Sequence, residues 1–62
     1  MKPLALTFRI EKLTKGAVRY EEVDENGKAV ENFAVGKFYI RKSAFLGASP
    51  PQQIQVQIGL AK

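Results

Sequence analysis

The sequence has no cysteine, no histidine and no tryptophan among its 62 residues. Without cysteine there are no disulfides and no thiol nucleophiles, and without histidine the usual zinc sites and the commonest general base are gone as well. Acids are absent from the second half: residues 32–62 hold Lys37, Arg41, Lys42 and Lys62 and no aspartate or glutamate. No apolar run approaches the roughly 18 residues of a membrane span. The opening stretch Met1-Lys2-Pro3-Leu4-Ala5-Leu6-Thr7-Phe8 is broken by Arg9 and Glu11, too soon for an export signal, and neither end carries a lipidation motif. These absences set the first expectations. The protein is expected to be cytoplasmic and not an enzyme, with no cofactor, no metal, no small-molecule substrate and no membrane association.

What remains is 45% hydrophobic and 26% charged, with ten lysines and arginines against six acids. That apolar share is too high and too regularly spaced for a disordered chain, and the length holds one small domain over residues 1–62. So short a chain buries a small share of its surface and has no disulfide or metal to staple it, so a homodimer is expected.

Glycines stand at positions 16, 27, 36, 47 and 59, the spacing of short strands joined by turns. Leu4, Leu6, Phe8 and Ile10 alternate with Ala5, Thr7 and Arg9, which predicts a strand with one buried and one wet face. Val18 and Tyr20 continue the inward set on a second strand, Phe38 and Ile40 on a third, and Ile54, Val56 and Ile58 on a fourth, with Leu60 a further candidate. The fold class is therefore all-β. It is expected to be a four-stranded antiparallel sheet, a meander or an open barrel, with strands near 4–12, 17–23, 36–41 and 53–60. A helical turn near 43–46 is expected before the last strand, capped by Ser43, stopped by Gly47, and plugging the open end of the sheet with Phe45 and Leu46.

Gly16 and Asn26-Gly27 read as hairpin turns that use positive φ, the second of type I′. Residues 29–35 read as a loop anchored by Val30, Phe33 and Val35. The fourth strand alternates glutamine with isoleucine and valine and carries no charge, a hazard on an open edge, so it is expected inside the sheet or paired across a dimer.

Charge is unevenly placed along the chain. Residues 1–20 and 32–62 are each net basic, whereas Glu21, Glu22, Asp24, Glu25 and Glu31 make the segment between them acidic. Period two puts Arg9 and Arg19 on the wet face with Lys37, Tyr39 and Arg41 and with Gln53, Gln55 and Gln57. Cations for phosphates, an aromatic ring for a base and amides for base edges are what a nucleic-acid-binding sheet needs. The candidate contacts to DNA or RNA are Arg9, Arg19, Lys37, Tyr39, Arg41 and Lys42. The competing reading is a protein-interaction or assembly module, a homodimer with no nucleic-acid role, in which these cations merely solvate the sheet and Tyr39 packs at a dimer seam.

Catalytic and metal readings fail on spacing. Asp24-x-Asn26 opens like a calcium loop, but Lys28 stands where a third oxygen ligand is needed. Glu21 and Glu22 adjoin on a strand and so point to opposite faces. Ser43 and Ser49 have no histidine to activate them. The single, scattered glycines form no phosphate-cradling loop.

Gly36-Lys37-Phe38-Tyr39-Ile40-Arg41-Lys42, then Leu46-Gly47, Pro51 and Ile54-Gln55-Val56, resembles the strand, turn and strand of the swapped-hairpin AbrB-type DNA-binding domains. The resemblance covers about a third of the chain and implies an intertwined dimer that grips DNA with basic strands and loops. The sequence departs from that pattern in having Arg41 where the family has a proline, and in lacking the longer helix before Leu46-Gly47 and the Gly-Asp pair after the later proline. No binding residue is carried over from it.

Overall fold

A computed structural model describes residues 2–61. The alternating segments form four antiparallel strands, β1 (Leu4–Leu13), β2 (Ala17–Val23), β3 (Lys37–Arg41) and β4 (Gln53–Ile58), with a single 3-10 turn over Lys42–Phe45 and no α-helix among the described residues. The all-β reading holds, and the sheet is a curled half-barrel. Its order is β3-β2-β1-β4, so the chain does not run as a plain meander: β4 returns to the far side of β1, the Greek-key arrangement. Apolar matching explains that return, since Ile54, Val56 and Ile58 fall opposite Phe8, Leu6 and Leu4. The connection is held by Phe45, which packs on the core, and by the Tyr20 hydroxyl, which donates to the Pro51 carbonyl at 2.9 Å.

The concave face holds the core. Phe8, Val18 and Tyr20 are fully buried, and Leu6, Ile10, Phe38, Ile40, Phe45, Ile54 and Val56 pack around them half-buried. The Phe8 and Phe38 rings lie 4.4 Å apart, with Tyr20 at 6.2 Å from Phe38. Leu60 lies beyond β4 and is exposed.

β1 breaks its own period at a bulge. Ile10 pairs with Tyr20, but the next pair is Lys12 with Arg19, which leaves Glu11 as the extra residue. Strict alternation would drive Lys12 into the apolar face and Leu13 out of it. The bulge moves Lys12 to the wet face and sets Leu13 opposite Val18 on the apolar one.

Several local expectations are corrected. Asn26 does not take positive φ, so the turn is not type I′. Gly27 alone is left-handed at φ 84°, its N–H donates to the Asp24 carbonyl, and the Asp24 carboxylate accepts from the N–H groups of Asn26 and Lys28. Gly16 is not left-handed either. Thr14 closes that hairpin instead, its hydroxyl donating to the Ala17 carbonyl and accepting from the Ala17 N–H. Ser43 makes no capping bond, Arg41 holds the cap position, and Leu46 does not plug the sheet but projects into solvent at 92% exposure with φ 53°. β4 is an edge strand, so of its two expected placements the one inside the sheet is excluded.

The loop from Asp24 to Gly36 is tied down by a group that sequence reasoning did not single out. Phe33 and Val35 are exposed and do not anchor it, while Val30 is half-buried. The anchor is Glu22, 4% exposed, whose carboxylate accepts from the N–H groups of Ala34 at 3.2 Å, Val35 at 2.8 Å and Gly36 at 3.0 Å. Burial alone would raise this carboxyl's pKa, but the three donors outweigh it and hold it below the ordinary glutamate value.

Candidate nucleic-acid interface

Register assembles the wet face row by row. Lys37, Glu21, Arg9 and Gln53 are successive cross-strand partners over all four strands, and Tyr39, Arg19 and Lys12 form the adjacent row. Arg41 extends the cationic end beside Ala17, and Gln55 and Gln57 flank β1 opposite Thr7 and Ala5. Arg9, Arg19, Lys37, Tyr39 and Arg41 therefore share one face, and the bulge adds Lys12 to them. A strict period hid Lys12; the sequence signal was the conflict of a lysine on the apolar parity beside a leucine on the polar one. Lys42 is not brought onto this face, because it opens the 3-10 turn and lines a cleft with Leu13 and Phe45.

Two carboxylates partly neutralise the face. Glu11, at the bulge, accepts a hydrogen bond from the Lys37 ammonium at 2.9 Å and lies 2.8 Å from Arg19 Nε, a contact off the N–H axis and so an ion pair without a hydrogen bond. The Lys37 bond, with the two nearby charges, holds the Glu11 carboxyl below the ordinary glutamate value. Glu21 lies 3.8 Å from Arg9, whose guanidinium also donates to the Gly27 carbonyl at 3.0 Å. Arg41 and Lys12 make no ion pair among the described residues. Tyr39 is 57% exposed on edge strand β3, its hydroxyl 3.5 Å from an Arg19 nitrogen, so its ring is open to stacking.

The acidic segment is dispersed by folding. Glu22 is buried, Asp24 closes its turn and Glu21 faces Arg9, which leaves Glu25 and Glu31 exposed without a partner among the described residues. Glu21 and Glu22 do point to opposite faces, since Glu21 shares a row with Arg9 and Glu22 lies opposite Phe8. Among the described residues no three acids gather as a metal site.

Shallow clefts indent the surface of the described residues. One of about 320 Å³ lies between Leu13, Phe45 and Pro50, and one of about 380 Å³ lies under the loop, where the Glu22 and Asp24 carboxylates are already engaged by backbone N–H groups. The two strands that carry the AbrB-type resemblance are opposite edges of the sheet, separated by β2 and β1, and so do not form a hairpin. No family model, no curated protein and no solved structure matches the chain. No described helix is long and apolar enough to cross a membrane.

Proposed function

We propose that the chain is a non-enzymatic module of the cytoplasm that binds nucleic acid on the convex sheet face, and that it works as a homodimer. The observation that carries this reading is the gathering of Arg9, Lys12, Arg19, Lys37 and Arg41 on one face with an exposed Tyr39 and a row of glutamines, against only Glu11 and Glu21. Arg19 and Lys12 are cross-strand neighbours and Lys37 and Arg9 flank Glu21, so one face offers several cations to phosphates, and Tyr39 offers a stacking surface for an unpaired base. Single-stranded DNA or RNA suits this better than duplex, because a convex strand face has no element that enters a groove. The rival reading is a protein-interaction or assembly module in which the acidic turn or a free strand edge recruits a protein; its acidic-turn form is weakened by the internal engagement of Glu21, Glu22 and Asp24.

The test is binding of a short oligonucleotide across a salt series. Lys37→Glu with Arg41→Glu is expected to weaken binding at low salt at least tenfold and to reduce the salt slope by about 1 to 2. Lys2→Glu, at the other end of β1 from Arg41, is the control and is expected to leave affinity within about twofold. No binding at low salt, or equal losses in all variants, would sink the proposal.

Glu11 supplies the opposite sign. Glu11→Gln releases Arg19 and Lys37 from a carboxylate that now competes with phosphate, and is expected to tighten binding several-fold with a steeper salt dependence. Fluorescence anisotropy on a labelled oligonucleotide checks this; weaker binding would mean that Glu11 positions the cations rather than screening them.

A further inference from the structure

We infer that two copies of the chain join edge to edge through β4, Gln55 meeting the partner's Gln55 on a twofold axis. The backbone dictates which groups are available. The Ile10 N–H donates to the Gln52 carbonyl at 2.9 Å, and alternation in the antiparallel ladder then assigns Ile54, Val56 and Ile58 to the bonds with β1. The N–H and C=O groups of Gln53, Gln55 and Gln57 point away from β1, to the open side of an edge strand.

The two edges of the sheet are guarded differently. On β3 the groups facing outward belong to Lys37, Tyr39 and Arg41, and the strand is only five residues long. Charge and shortness are standard protections against pairing with another chain. β4 has six residues, QIQVQI, with no charge, no proline and no bulge. No residue from Ser43 to Ala61 is charged in a chain of net charge +4, so like-charged copies meet here with the least repulsion.

Area points to the same conclusion. The described residues expose 4944 Å², where a compact monomer of this mass would expose about 4,000 Å². The sheet is a layer only 15 Å through, with Leu6, Ile54 and Val56 half-buried on its concave side. Of this excess, on the order of 900 Å² per chain, pairing through β4 removes the part that lies along that edge of the sheet.

A second copy fits because β4 is complementary to itself. A twofold axis at Gln55 pairs Gln53 with the partner's Gln57, so each outward amide from Gln53 to Gln57 finds a carbonyl. It also sets Ile54 beside the partner's Val56 on the apolar face, while the glutamine side chains line up on the wet face. The result is one eight-stranded sheet whose central glutamine rows are flanked by the two cationic clusters. This inference does not rest on the nucleic-acid reading.

The experiment is light scattering of the full chain over a range of concentrations, with circular dichroism to verify folding. The wild type is expected to be a dimer. Gln55→Pro removes an N–H that β1 does not use, and Gln55→Lys sets like charges face to face; both are expected to give folded monomers. Tyr39→Lys, on the other edge, is expected to stay dimeric. Since the chain has no other cysteine, Gln55→Cys is expected to form a disulfide-linked dimer under mild oxidation and Tyr39→Cys is not. A monomeric wild type, a Gln55→Lys variant that stays dimeric, or crosslinking through position 39 instead would overturn the inference. Dimerisation through β4 without oligonucleotide binding would refute the nucleic-acid part of the proposed function and leave the dimer standing.

Discussion

Replacing Glu22 with alanine is expected to destabilise the fold by about 3 kcal/mol or more, and to lower Tm by roughly 12 °C or more. Three backbone N–H groups, those of Ala34, Val35 and Gly36, converge on this one buried carboxylate. Truncation strands all three, whereas Glu22→Gln keeps one acceptor oxygen and is expected to cost about half as much. The loss should be local as well as global: amide exchange at Val35 and Gly36 should accelerate in Glu22→Gln under conditions where β1 and β2 stay protected.

The same group sets an acid limb. Its carboxyl titrates lower in the folded than in the unfolded chain, so its contribution is complete above the unfolded value of about 4.3 and is lost as pH falls through the lower folded value. Urea midpoints measured between about pH 6 and about pH 3 should fall for the wild type, and fall less for Glu22→Gln, which has no carboxyl to protonate. Parallel pH curves for the two proteins would show that Glu22 does not hold the loop as a carboxylate.

Phe8→Ala is expected to cost about 3 to 5 kcal/mol, the usual range for a buried phenylalanine. Phe8 has no solvent exposure, lies between Ile54 and Glu22 in the sheet register and stacks on Phe38 at 4.4 Å. A domain of this length has a total stability of about 3 to 9 kcal/mol, so the variant should be largely unfolded or melt near room temperature. Phe33→Ala, from a residue 53% exposed, should change stability by no more than about 0.5 kcal/mol. Thermal melts of both variants check the assignment of the core. A larger loss from Phe33 than from Phe8 would mean that the loop, not the sheet, is the hydrophobic centre.

Much of this architecture was legible because period two is strong where one face is buried. Leu4, Leu6, Phe8 and Ile10, and later Ile54, Val56 and Ile58, alternate without interruption, and their strands appear where alternation put them. Arg9, Arg19, Lys37, Tyr39 and Arg41 were placed together by the same parity. Lys12 escaped because a bulge changes the phase, and Lys42, a candidate contact, has the parity of Phe38 and Ile40 and opens the 3-10 turn rather than joining the face. Strand order was not legible, since β4 matches the apolar face of any neighbour. Nor was the role of Glu22: a glutamate in an acidic run gives no local sign that a loop more than ten residues away will fold its amides onto it. Turn chemistry misled at Gly16, where the Thr14 side chain does what glycine was expected to do.

The most direct test of the convex-face reading is an NMR titration of the protein with a short single-stranded oligonucleotide at low salt. The account predicts that the Tyr39 ring protons and the guanidinium Nε–H signals of Arg19 and Arg41 shift together and saturably, reverting as salt is added, while the methyl signals of Leu6, Ile54 and Val56 on the concave side stay in place. Shifts confined to those methyl groups or to the turn from Asp24 to Lys28, or no shift at any residue, would contradict it.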